Sequence, residues 1–534
     1  MQISDSIEEL YRRLIAINRV GSAPTEAENP ITVDDIVGKL SFLYEKLRNT
    51  MDYQEDHLLR RFAIERNIKR RIVMESLKPK VAQSMIEELI RSGYLPNELI
   101  PESMAGTLGV IINKYAYLTD LVQDTLHQTR ERRKIINWIA GVAACEIDLA
   151  LVPEWRVDAL IETLYTIVKD RIKLRGEILS NREKNIQLYI TFHKELVKSD
   201  NPIISYHLLN LYFPDWPTAD KRLTEYVAEK IASVYYGIQA HLNSTIRTKI
   251  AKSLKKQIVV FRVLRELINV HKDNLVDLFA NPQYLETEAR AVIDRNYKSV
   301  RRKLQSRSLR AVLYILITKV ALALIVEYPY DLYIVGYVNF LALGINLFIP
   351  PVLMFLITLS ARLPGASNTR AIIDEIQNIV YGEPAREILC ELRVRRRQGP
   401  VFFFFEYLFY VLLYGFIFGI IIYLLRLLQF NILSGAIFIF FVTAVSFFGT
   451  RIRQSTQDYS VQARREGFTG YVITFFSLPL IRAGHWFSTN MRRINLFAFI
   501  LDFIIDAPFK LVVEMIESWF RFLREKKEDT YKNT

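Results

Sequence analysis

Between Arg301 and Arg310 the chain carries five basic residues and no acidic one, and an apolar stretch, Ala311 to Val326, follows at once. An apolar run flanked at one end by Lys and Arg reads as a membrane span whose basic end stays in the cytoplasm. The junction also divides the chain. Charged, helix-patterned residues precede it, and most of the apolar runs after it are long enough to cross a bilayer.

The location of charge matters more than its total of +13. Residues 1–300 hold 43 Lys and Arg against 40 Asp and Glu, a near-balance without the electrostatic footprint of nucleic-acid binding. The excess lies beside the apolar runs, at Arg301, Arg302, Lys303, Arg307 and Arg310, then Arg393, Arg395, Arg396 and Arg397, then Arg451 and Arg453. Juxtamembrane clustering of this kind suits topology and anionic lipid head groups, so the bilayer is an expected partner.

Four spans are the economical count: 311–326, 332–359, 401–425 and 432–448. Glu327, Tyr328, Tyr330 and Asp331 read as a short acidic, aromatic turn between the first two, and Pro350-Pro351 as a kink in the second. With Arg426 as the exception, every strongly basic flank then falls on one side. The expectation is a multi-pass protein of the cytoplasmic (inner) membrane with both termini cytoplasmic. Met1 to Leu10 carries acidic residues and no basic-apolar leader pattern, so no cleaved signal peptide is expected.

Helical spacing dominates residues 1–300, where strand-like alternation is scarce, so a cytosolic all-α bundle is expected there. Thr32 and Asp35 cap a pattern over 33–78 that fits one long helix or two broken near Asp52 to Asp56. Further helices are expected at 154–176, 181–199, 218–242, 244–274 and 285–310, the last continuing into the first span. The polar loop 361–400 contains a pattern at Asn368, Ile372, Ile373, Ile376 and Ile379 that suggests a surface helix. In the tail, 451–534, Tyr471–Ile481 is too short to span. Asp502, Asp506, Lys510, Glu514, Glu517 and Arg521 form one polar stripe over 494–527, which reads as amphipathic, interfacial helices.

Ionisable and amide residues inside the spans are the candidate site: Lys319, Asn339, Asn346, Glu406, Tyr410 and Tyr414. Such groups mark ion, proton or head-group sites, because a charge at mid-bilayer is costly. The structural alternative is that Lys319 snorkels, Glu406 pairs with it, and the asparagines fasten helices together. Gly415 and Gly419 form a GxxxG pair suited to close helix packing, within the chain or in a homo-oligomer.

Catalytic signatures are missing from the sequence. Gly38-Lys39 lacks the rest of a phosphate loop, Ser253 to Lys256 matches SxxK without its companion motifs, and His485-Trp486 reads as an interfacial pair. Cys145 and Cys390 stand far apart with no metal-ligand spacing around them, and Glu146 and Asp148 read as a polar helix edge. No catalytic, metal or cofactor residue is therefore assigned. The expected function is a membrane-anchored helical scaffold that docks protein partners at the cytoplasmic face. The alternative is a small channel or transporter module using Lys319 and Glu406.

Overall fold

The computed structural model describes residues 3–21, 29–33, 56–74, 81–175, 180–272, 274–361, 363–382, 390–393, 400–454, 458–461 and 468–491. These residues are overwhelmingly helical, as the sequence pattern requires, and they fall into two compact units. The amino-terminal unit runs from Asp5 to Leu254 and includes 390–392; the span-bearing unit comprises 255–382 and 393–491 with residues 3–4. The division falls at Leu254/Lys255, ahead of the charge boundary near residue 300. The expected helix at 494–527 and the first half of the pattern at 33–78 lie outside the described residues.

The amino-terminal unit contains α1 (Asp5–Gly21), α2 (Asp56–Met74), α3 (Val81–Arg91), α4 (Ser103–Thr125), α5 (Thr129–Leu151), α6 (Trp155–Val168), α7 (Asn181–Phe192), α8 (Asn201–Tyr212), α9 (Lys221–Leu242) and α10 (Ile246–Ser253). Local signals set many of the boundaries. Ser180 accepts the Glu183 amide, Asp200 accepts that of Ile203 ahead of Pro202, and Asp220 accepts that of Leu223, each a side-chain N-cap. Helix α5 is buried through Ala140, Val142, Ala143, Ala144 and Ile147, so it forms the centre against which α2, α4 and α8 pack. A short strand, Ile172–Arg175, pairs with a second at Cys390–Arg393, the one two-stranded ladder among the described residues.

The span-bearing unit begins with α11 (Lys255–Val270) and α12 (Leu275–Ala280) and continues into α13 (Pro282–Leu322). Asn281 caps α13 and Pro282 occupies its first turn. Its 41 residues run about 62 Å without a break, so the basic segment and the apolar stretch share one rod. The rod does not stop at Glu327. It passes through two π turns, Ala323–Glu327 and Asp331–Val335, which flank Pro329, and ends at Gly336 with φ 86°. A π turn absorbs the extra residue that a proline without an N–H imposes on a helix. The acidic turn expected at Glu327 to Asp331 is therefore helix, and the real turn is Gly336 to Asn339, which begins nine residues later. The physical reason lies in partners described below, which remove these carboxylates from water.

Asn339 then caps α14 (Phe340–Leu359), accepting the amides of Leu341 and Ala342. Pro350 and Pro351 lie inside α14 without ending it. The remaining elements are α15 (Ala366–Tyr381), α16 (Pro400–Leu427), α17 (Ile432–Gln454) and α18 (Phe468–Met491). Except for the half-buried Ile379, the isoleucines of α15 do not lie on a surface. Ile372, Ile373, Ile376 and Val380 are buried, and α15 packs on α11 and the lower part of α13.

Among the described residues, four helical stretches are long and apolar enough to cross a membrane: the apolar part of Pro282–Val335, Phe340–Leu359, Phe404–Leu427 and Ile432–Ile452. Most of their large side chains point outward, as hydrocarbon-facing residues do; Ile317 is 66% and Phe405 62% exposed. Among the described residues, close contacts of α17 with α14 and with α18 rely on two glycines. A Cβ at Gly449 of α17 would come within 2.8 Å of Ile357, and one at Gly484 of α18 within 2.2 Å of the Thr443 carbonyl oxygen.

Candidate functional site

Inside this apolar group the polar side chains gather in layers. The central layer is built on Lys319, which has no exposed surface although it stands in the middle of an apolar helix. Its ammonium donates to Asn346 Oδ1 at 2.5 Å, lies 3.5 Å from Glu327 Oε1, and sits 4.5 Å from the centre of the Phe441 ring. Asn346 Nδ2 donates both to Glu327 Oε2 at 2.6 Å and to the Ser434 carbonyl at 3.2 Å. Three helices, α13, α14 and α17, thus converge on one amide. Lys319 and Glu327 follow each other along α13, and the π turn between Ala323 and Glu327 rotates the carboxylate onto the face that Lys319 occupies.

A second layer closes the end of the group away from the basic cluster. Asn431 donates to the Asp331 carboxylate, and its own oxygen caps α17 by accepting the Ser434 amide at 2.7 Å. Asn339 Nδ2 approaches the Leu428 carbonyl at 3.4 Å. Both hairpin turns are tied together there. At the opposite end the Ser308 hydroxyl donates to Thr358 at 2.6 Å, joining α13 to α14.

Of the six residues read as a polar seam, the structure brings two together, Lys319 and Asn346. Asn339 serves as a helix cap in the layer above. Glu406 is exposed on α16, so the suggested Lys319–Glu406 pair is replaced by Lys319–Glu327. Tyr410 receives Arg482 of α18 instead, with the guanidinium 4.6 Å from its ring centre. Tyr414 is half-buried one turn along. Glu327 and Asp331, read from the sequence as a turn, join the site together with Asn431 and Ser434. Their acidic and amide character was visible in the sequence, but a carboxylate next to two tyrosines and a proline carries the composition of a turn.

Gly415 and Gly419 meet nothing within 4 Å; among the described residues of α16, α17 and α18, the tight helix contacts are at Gly449 and Gly484. The basic residues Arg301, Arg302, Lys303, Arg307, Arg310 and Arg451 are exposed. Arg395, Arg396 and Arg397 lie outside the described residues, as do the side chains of Arg393 and Arg453.

The amino-terminal unit has its own buried polar group. Lys114 donates to Glu146 Oε1 at 2.6 Å and to the Trp216 carbonyl at 2.9 Å. The Tyr115 hydroxyl donates to Glu146 Oε2 at 2.6 Å and accepts Trp216 Nε1 at 2.9 Å. Burial raises the Glu146 carboxyl above the usual range and lowers the Lys114 ammonium, with the pairing opposing each shift. Asp148 is also buried and bonded to Arg60. Neither acid lies on a solvent-facing helix edge, contrary to the sequence reading, because α5 is surrounded on all sides. Every polar atom of the Lys114 side chain and of the Glu146 carboxylate is engaged by protein, which makes this group a fastening of α4, α5 and the Trp216 turn.

Comparison with protein-family models, curated proteins and solved structures gives no match. What defines the class is therefore the fold itself: an all-α chain with, among its described residues, four helices long and apolar enough to cross a membrane.

Proposed function

We propose that the chain is a multi-pass membrane protein that anchors a helical body for docking protein partners at the cytoplasmic face. Both termini lie in the cytoplasm in this reading. The observation that carries it is the fate of the charges in the spans. Lys319 and Glu327 are turned onto Asn346 and onto each other, and so bind three helices into one anchor. A buried ion pair braced by a shared amide fixes the mutual register of helices more than it adds stability.

The threading has independent support. Asn339–Leu428 and Asp331–Asn431 hold both hairpin turns at one end, which leaves Arg301 to Arg310 and Arg451 together at the other. A one-sided basic flank is retained in the cytoplasm.

A transport reading draws on the same residues, since an ionisable pair in a span is a common coupling site. The two readings separate in a Lys319→Met/Glu327→Met double variant, expressed in cells lacking the native protein. An anchor predicts insertion and full complementation of the deletion phenotype. Inserted protein with lost complementation and lost ion or proton flux would refute the anchor and leave transport.

A further inference from the structure

Beside α13, at the level where α14 ends, lies an open groove of about 600 Å³. One wall is α13, where Tyr297, Arg301 and Gln305 recur every fourth residue and so share a face. The other wall is the end of α14 and the connection after it, which present Leu359 and Leu363. The Ser308–Thr358 bond fixes the spacing of the walls. Tyr297 is fixed separately: its hydroxyl accepts Asn368 Nδ2 at 2.8 Å, and Asn368 also donates to the Tyr459 carbonyl and accepts the Val461 amide. That leaves the Tyr297 hydroxyl hydrogen to donate.

Arg301 is the charged residue of the groove's lining, and Arg302, Lys303 and Arg307 lie near it on the same helix. Arg301, Arg302, Lys303 and Arg307 are exposed, and none forms an ion pair among the described residues. No acidic residue occurs between 301 and 310. An anion therefore suits one wall. Hydrocarbon suits the other, where Leu359 is 68% exposed. A phospholipid satisfies both walls with a single molecule.

We propose that this groove holds one anionic phospholipid, its phosphodiester on Arg301 with Tyr297 and Gln305 as neutral donors, and its acyl chain along Leu359. A guanidinium grips a phosphate through two parallel N–H bonds, which a lysine does not reproduce. A choline head group would set a positive charge beside Arg301, so phosphatidylglycerol is preferred over phosphatidylcholine. The inference rests on the membrane reading given above and adds a specific site to it.

The test is native mass spectrometry of the full chain released from nanodiscs of phosphatidylcholine containing a minority of phosphatidylglycerol. The wild type retains one phosphatidylglycerol with a preference of about tenfold, within the range that repulsion between a choline and a guanidinium a few ångströms apart supplies at a protein surface. Arg301→Gln loses the preference, and Arg451→Gln, outside the groove, keeps it. Leu359→Glu, at an exposed position, loses it as well and covers the case in which Arg301→Gln fails to fold. Undiminished retention in both groove variants, equal retention of phosphatidylcholine by the wild type, or displacement of the lipid by inorganic phosphate alone overturns the site. A chain that fails to enter nanodiscs overturns the membrane reading together with the site.

Discussion

Removing Lys319 while keeping Glu327 tests the central layer most sharply. In Lys319→Met the Glu327 carboxylate, 1% exposed, keeps only the Asn346 amide as a donor, and Asn346 Oδ1 loses the ammonium it accepts. An uncompensated buried charge costs about 3–5 kcal/mol. The residual Asn346 bond is worth about 0.6–1.7 kcal/mol by the standard of intramembrane hydrogen bonds, which places the net loss near 3 kcal/mol. Glu327→Met strands the Lys319 ammonium in the same way, against Asn346 Oδ1 and the Phe441 ring. The double variant removes both charges together with both desolvation penalties, and Asn346 still has the Ser434 carbonyl. Its loss is about 1 kcal/mol or less. Denaturant unfolding of the full chain in mild detergent, followed by fluorescence and by size-exclusion after heating, measures all three. The double variant should recover at least about 2 kcal/mol of what either single variant loses. Two single losses that simply add in the double variant would refute the pairing.

Three further outcomes follow from the packing and titration of particular groups. Gly484→Ala places a Cβ 2.2 Å from the Thr443 carbonyl oxygen and should cost about 1–3 kcal/mol in the same assay, whereas Gly415→Ala should cost nothing measurable within the chain, having no neighbour inside 4 Å. Glu146→Leu strands the Lys114 ammonium beside Trp216 and should destabilise the amino-terminal unit by about 3 kcal/mol, read by hydrogen exchange at α4 and α5; unchanged exchange would refute the role given to this pair. His193 and His207, with ring centres 4.5 Å apart, are held neutral by burial, His207 pushed down to about 4 and His193 well below its ordinary value, lowered further by His207. The unfolded chain takes up these protons near pH 6.5 and the folded one does not, so their contribution is complete above about pH 6.5 and is lost as pH falls toward 4. His207 alone accounts for about 3 kcal/mol of that loss, and His207→Phe should flatten the stability profile over this window.

How much of this was legible in the sequence depended on whether the signal was local. Apolar length and basic flanks are local properties, and they located the four apolar helices without any tertiary information. Caps such as Asp220 and Asn281 are local too, and the helices they open start where the side-chain bonds form. The end of the first apolar helix was not legible. Glu327 and Asp331 have the composition of a turn, and only Asn346, Asn431 and Lys319, brought up from elsewhere in the chain, make helix tolerable there. The same cause explains the exchange of Glu406 for Glu327. Depth along a helix follows from residue number, but the direction a side chain faces follows from which helices pack on it, and α16 exposes Glu406. Gly484 carries no sequence signal because close approach to α17 needs one glycine, without the GxxxG spacing of Gly415 and Gly419.

Threading of the four apolar helices is what the functional proposal depends on, and cysteine labelling in sealed cells measures it directly. In a Cys145→Ala/Cys390→Ser background, single cysteines are placed at Tyr337 and Gln429, in the two hairpin turns, and at Lys303 and Ser460, beyond the basic ends. A membrane-impermeant maleimide should label positions 337 and 429 in intact cells, and 303 and 460 only after lysis. Labelling of 337 and 460 from the same side would contradict the threading.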